Sequence, residues 1–308
     1  MTTLSFTART PEDVLALVPV LLGFVPHDSV AMLTFGAGQP FHARLDLPTD
    51  PDELPAAVDQ LLAPARQHRV RCVLFVLYTD DAALALVAAR ELGDAFTGAG
   101  IEVLEPIRAD GARWWPAVGA WDGVPPEGVA YDLATHPFSA EAVLDGRVLH
   151  GSREELRATL HADARLVTGV VGALVEVADD PPEPAWVEAL VTRHARDGTV
   201  PTDREVARLL RGLLDGEVRD AATAGLSRAT AREHVGFWTD VVRRSPEPLL
   251  PGAAALLALA AWQAGHGALA WCALDRCAEV DEHHPLAGLV AQVLTRALPP
   301  QVWDEIRW

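Results

Sequence analysis

The sequence predicts an α/β N-terminal domain, a mixed sheet with flanking helices, followed by an all-α region that ends in a tetratricopeptide-like helical hairpin. Three observations lead there. Short β-type runs alternate with amphipathic helical stretches up to about residue 120. A glycine- and proline-rich stretch over 119–128 then closes that pattern. Near the C-terminus, Ala258, Gly265, Ala270 and Cys277 place small residues at offsets that let two antiparallel helices approach closely. The chain is therefore expected to divide into a 1–120 α/β domain, a 121–245 helical middle region, and a 246–308 hairpin plus C-terminal helix.

Thr10-Pro11-Glu12-Asp13 reads as a helix start: a capping threonine, proline in the first turn, and acids at the positive helix end. Val14, Leu17, Val18, Leu21 and Leu22 give that helix an apolar face, Gly23 ends it, and Pro26 prevents its resumption. Strands follow over 29–35 and 41–47, joined by Gly36-Ala37-Gly38-Gln39-Pro40. An amphipathic helix over 51–68 is expected to be interrupted near Pro64. The run 70–78 is almost wholly apolar, as a central strand buried on both faces should be. Asp80-Asp81 then cap a helix to about Gly98, a strand runs over 101–107, and Asp110-Gly111 turns the chain into a returning strand over 112–118.

Beyond 128 the pattern is helical. Short helices are expected over 139–144 and from a Ser152-Arg153-Glu154-Glu155 capping box, then over 164–177. After the acidic proline linker 179–184 come helices over 185–196, 202–214, 217–226 and 230–243. Three prolines within 245–251 mark a second boundary before the hairpin, and Pro285 opens a last helix over 286–298.

All 25 basic side chains are arginine; the 308 residues contain neither lysine nor asparagine. That removes Schiff-base chemistry, lysine general bases and the phosphate-binding lysine of a P-loop. A very GC-rich gene explains the bias without selection on the protein, because lysine and asparagine codons begin with two adenines. The net charge of −18 disfavours nucleic acid and anionic membrane surfaces as partners. Arg204, Arg208 and Arg211 share one helix face and would be the nucleic-acid alternative, but Asp203, Glu205 and Asp215 flank them. Three cysteines without motif spacing read as reduced thiols of a cytoplasmic protein. The N-terminus lacks a basic n-region, and the apolar run 249–265 is too short and too interrupted for a membrane span.

One resemblance covers the chain. The segment Pro19-Val20-Leu21-Leu22-Gly23-Phe24-Val25-Pro26-His27-Asp28-Ser29-Val30 is similar to the opening signature of the domain-of-unknown-function family 4192 of GC-rich bacteria. His136-Pro137-Phe138-Ser139-Ala140-Glu141-Ala142-Val143, then Gly146-Arg147-Val148 with Arg153-Glu154-Glu155-Leu156, resemble it further. So do Leu256 to Gly265 with Leu274-Asp275-Arg276, and the closing Pro299-Pro300 with Trp303. The resemblance implies no activity, cofactor or catalytic residue.

The leading candidate site for ligand binding is the strip Trp114, Trp115, Tyr131, His136, Glu141 and Arg147, which mixes aromatic, acidic, basic and imidazole groups where sheet gives way to helices. Alternating strand faces let only one of the tryptophans point at a ligand, and packing between the layers is the plainer reading of the strip. His27 and Asp28 form a secondary candidate, a base with its orienter or a metal half-site, against the plainer reading of turn chemistry. His42, Arg44 and Asp46 alternate with apolar residues and share one strand face, which suits an anion pocket or simply the wet side of a sheet. Asp281-Glu282-His283-His284 is a continuous loop run, not a converging metal cluster. No metal motif, nucleophile elbow or dinucleotide fingerprint is present, so no metal or cofactor is expected. These readings lead to a binding or regulatory protein with an unknown protein or small-molecule partner. The alternative is a hydrolase or transferase using His, carboxylate and Arg chemistry, which requires Tyr131, His136, Arg147 and one of Trp114 or Trp115 to converge in one concave site.

Overall fold

The computed structural model describes residues 6–37 and 41–303. The turn residues Gly38, Gln39 and Pro40 lie outside the described residues. The chain forms two compact units, Met1–Arg153 and Glu154–Trp308.

The first unit is an α/β sandwich around a mixed seven-stranded sheet. Helix α1 (Pro11–Leu22) opens with the predicted cap: the Thr10 hydroxyl accepts from the Asp13 N–H, and Asp13 reaches back to the Thr10 N–H. Strands β1 (Ser29–Phe35) and β2 (His42–Asp46) form an antiparallel hairpin. A short 3-10 turn at Pro51–Glu53 leads into α2 (Leu54–Gln67), and β3 (Cys72–Tyr78) lies antiparallel on the other side of β1. Helix α3 (Ala82–Gly98), capped by Asp81, crosses to β4 (Glu102–Val103) and β5 (Ile107–Ala109), both parallel to β3. Then β6 (Arg113–Pro116) and β7 (Val129–Ala130) add antiparallel strands, giving the order β2-β1-β3-β5-β6-β7 with β4 also on β3. Helix α4 (Pro137–Leu144) packs on α1.

Alternation in β1 and β3 sorts their side chains into two cores. Val30, Met32, Val73, Phe75 and Leu77 face α2 and α3, where Phe75 meets Phe96 edge-on at 5.0 Å. Ala31, Leu33, Leu74, Val76 and Tyr78 face the other way, toward α1 and Trp114. This two-sided burial is why the run around β3 carries so few polar residues.

Four expectations need correction here. The strand expected over 101–107 is two short strands, because Leu104-Glu105-Pro106 interrupts the ladder and proline has no N–H to give. Helix α2 runs through Pro64 unbroken, with that ring buried; packing on the sheet compensates for the lost hydrogen bond. The glycine- and proline-rich stretch is not the end of the sheet: β7 pairs with β6, so the first unit extends past 120 to Arg153. Helix α4 begins at Pro137, two residues before the expected start, with His136 as its cap.

The second unit is helical. Its elements are α5 (Arg153–Ala158, starting at the division), α6 (Ala164–Glu176), α7 (Pro184–Asp197), α8 (Asp203–Gly212), α9 (Gly216–Ala221) and α10 (Ala231–Arg244), then α11 (Leu250–Gln263), α12 (Gly267–Ala278) and α13 (Pro285–Thr295). Thr202 and Glu205 make a reciprocal capping box at α8. Helix α9 is shorter than the expected 217–226. Every residue of α11 is buried, which explains its lack of a polar face: it is a central helix wrapped by α10, α12 and α13. No described helix is long and apolar enough to cross a membrane.

Candidate functional site

A hollow of about 280 Å³ opens in the first unit where β7, the loop after it and the start of α4 meet the first turn of α1. Its lining comprises Glu12, Ala130, Tyr131, Asp132, Leu133, Thr135, His136 and Pro137. Two residues of the leading candidate strip, Tyr131 and His136, therefore share one concave surface. The sequence places Glu12 there only through the fold, more than a hundred residues away along the chain.

Glu12 sits in the first turn of α1, where an acid complements the helix dipole. Its Oε1 accepts from the Trp114 indole N–H at 2.8 Å. Trp114 itself is buried in the core beneath, against Trp121 at 5.6 Å. Asp132 accepts from the Ala134 N–H at 2.9 Å and from the Thr135 hydroxyl at 3.1 Å, an Asx-type turn that fixes its carboxylate. Among the described residues, no basic side chain pairs with Glu12 or Asp132. The hollow thus carries two carboxylates with no basic partner among the described residues.

Tyr131 lies between the hollow and the core. Burial, then the Asp110 charge, pushes its hydroxyl up to about 12; a Gly111 backbone group pulls slightly the other way without completing a hydrogen bond. Tyr78 is fully buried nearby and shifted upward by burial and by Tyr131. Neither hydroxyl has a hydrogen-bond partner in the described structure.

His136 has both ring nitrogens engaged. Nδ1 accepts the Phe138 N–H at 3.2 Å, capping α4, so Nε2 carries the proton and donates to Asp13 Oδ1 at 3.2 Å. Asp13 in turn accepts from the Arg9 and Thr10 backbone N–H groups; the Arg9 contact first, then Thr10 and His136, hold its carboxyl below the ordinary value against an opposing effect of burial. The chain Arg9–Asp13–His136–Phe138 locks the starts of α1 and α4 together. It leaves the imidazole no free lone pair for general-base work.

The remaining members of the strip do not reach the hollow. Trp115 lies under the Arg108 guanidinium, 3.8 Å from its centroid, and donates to the Pro126 carbonyl. Glu141 is on the exposed side of α4. Arg147 contacts the Val20 carbonyl and Asp145, both at 3.5 Å. The convergence that the hydrolase or transferase reading required is absent: Arg147 and Trp115 stand apart from Tyr131 and His136, and Trp114 reaches the hollow only through Glu12.

The secondary candidates resolve into packing and turn chemistry. Asp28 has φ +41° and its carbonyl accepts from the Leu47 N–H, while the His27 carbonyl accepts from Arg44. Arg44 also pairs with Asp46 and lies over Phe24 at 5.8 Å. His42 accepts the Thr34 N–H. The three polar residues do share a face of β2, but Arg44 is neutralised by Asp46. In the second unit, Arg204 and Arg208 are held by Glu176 and Asp180, and Arg208 stacks on Trp186. His284 caps α13 by accepting from the Ala287 N–H. Arg244 is buried, pairs with Asp203 and Asp240, and donates to the Pro201 carbonyl.

The fold and site define an α/β unit with an acidic hollow, joined in one chain to an all-helical unit. The chain belongs to the family described as Domain of unknown function (DUF4192), whose match covers residues 11–301. No curated protein and no solved structure matches it.

Proposed function

We propose that this is a cytoplasmic binding protein whose first unit receives a cationic group, an amine or guanidinium, in the hollow beside α1. The observation that carries this reading is the pair of carboxylates, Glu12 and Asp132, held by hydrogen bonds on one concave surface with no basic partner among the described residues. Glu12 is held by one hydrogen bond and Asp132 by two, and Leu133, Pro137 and Ala130 supply apolar walls for the stem that carries the charge. A small molecule and an arginine side chain of a partner protein present the same cation to the carboxylates.

None of Cys72, Cys272 and Cys277 is in a disulfide, which supports a reducing compartment. We also read α11 and α12 as a tetratricopeptide-like hairpin, supported by the complete burial of Ala258, Ala270 and Cys277. Because α11 is enclosed, we assign partner binding to the first unit and a scaffolding role to the hairpin.

Calorimetric titration with agmatine, and separately with a short arginine-containing peptide, tests the assignment. Binding at about millimolar affinity or better, weakened at least tenfold by Glu12→Gln and by Asp132→Asn, is the expected result. Glu12→Gln keeps an oxygen for the Trp114 indole while removing the charge. Heat from the peptide alone would identify a protein partner. No saturable heat from either probe, or equal heat with both variants, would overturn the proposal.

A further inference from the structure

Helix α6 is mostly apolar, yet only part of its circumference is covered. Between Arg165 and Glu176 it contains no charge. A helix of this kind normally sits inside a core. Here Val170 and Ala173, with Val177 just beyond the helix, are buried, on the side that meets α8 and α10. Ala164, Thr168, Val171, Gly172 and Val175 are exposed, Val171 at 47 % and Val175 at 79 %. At about 100° per residue, 164, 168, 171 and 175 fall on one stripe down the helix. It is a self-contained apolar face with a charge at each end.

We propose that this face binds a second copy of the chain, α6 against α6, antiparallel about a two-fold axis near residue 170. The charges decide the occupant. Arg165 and Glu176 lie on the same flank of the stripe, at opposite ends of the helix. A two-fold axis through its middle brings Arg165 of one copy beside Glu176 of the other, twice. A parallel pairing would instead leave Arg165 and Glu176 at opposite ends of the seam, with no opposite charge beside either. Glu176 already meets Arg204, at 3.5 Å, but Arg204 keeps Asp180 at 3.5 Å when Glu176 turns to the other copy. Ala164 on the stripe and Gly172 at its edge let the two backbones approach.

The helix is about 20 Å long, so one helix pair buries on the order of 700 Å² in total, below what stable dimers bury. The dimer is therefore weak, with dissociation in the range of about 10–100 μM. Sedimentation equilibrium of the full chain from about 1 to 500 μM reads it. The expected result is reversible dimerisation, lost at least tenfold in the Val171→Glu, Val175→Glu double variant, whose exposed positions leave the fold intact by circular dichroism. Arg165→Glu alone weakens it about threefold or more, and Arg165→Glu with Glu176→Arg restores it. A chain that stays monomeric throughout, a valine variant that dimerises like wild type, or a charge exchange that fails to restore association would each overturn the proposal.

Discussion

The His136 ring links two helix starts, so its replacement removes a cap and a tether together. His136→Ala is expected to destabilise the first unit by roughly 1–2 kcal/mol, measured by urea unfolding. His136→Asn returns part of that, because an asparagine oxygen takes the Phe138 N–H while the bond to Asp13 stays lost. Asp13 adds a pH dependence. Its carboxyl is held below 3.8 chiefly by the Arg9 N–H, so its stabilising contribution is complete above that value and is lost as pH falls through the lower folded-state pKa. An Asp13→Asn variant should therefore lose less stability than wild type between about pH 4 and pH 2, read as the difference in unfolding midpoint. Equal slopes for both proteins would contradict the linkage.

At the scale of elements, α8 and α10 are joined by one buried guanidinium. Arg244 is 4 % exposed and meets Asp240 one turn back on its own helix, then Asp203 and the Pro201 carbonyl at the start of α8. Arg244→Ala strands two carboxylates and a carbonyl, at a cost of about 2–4 kcal/mol. The lower half of that range is favoured because Asp203 and Asp240 keep contact with water. Arg244→Met retains the apolar stem and should cost less. Denaturant midpoints of the two variants check the order; a methionine variant no more stable than the alanine one would show that the stem's packing adds nothing to the joint.

For the whole molecule, the net charge of −18 sets the behaviour of any self-association. Two copies repel at long range, whereas the two Arg165–Glu176 contacts contribute only about 0–1 kcal/mol each. Salt screens the first effect more than the second is worth. The dimer is thus expected to tighten as ionic strength rises from about 20 to 150 mM, seen as a left shift in the sedimentation isotherm. The same acidity favours a cationic ligand over an anionic one at the hollow beside α1.

Much of this architecture could be read directly from the residues. Thr10 with Asp13, Asp81, and Thr202 with Glu205 mark helix starts because capping is local: donor and acceptor lie within one turn. The apolar run at β3 announced a strand buried on both sides. Other features depend on partners far along the chain and carry no local signal. Strand β7 is two residues long and exists only because β6 lies beside it. His136 looked like a free imidazole until the fold set Asp13 against it, and Glu12 looked like a dipole acid until β7 and the turn after it completed the hollow. Composition, capping and periodicity determined the helices, the central strands and the absence of lysine chemistry, since each depends on neighbours within a few residues. Tertiary structure alone decided which carboxylates share a cavity, which arginines are already neutralised and which face of α6 is left bare, because those outcomes depend on contacts between distant segments.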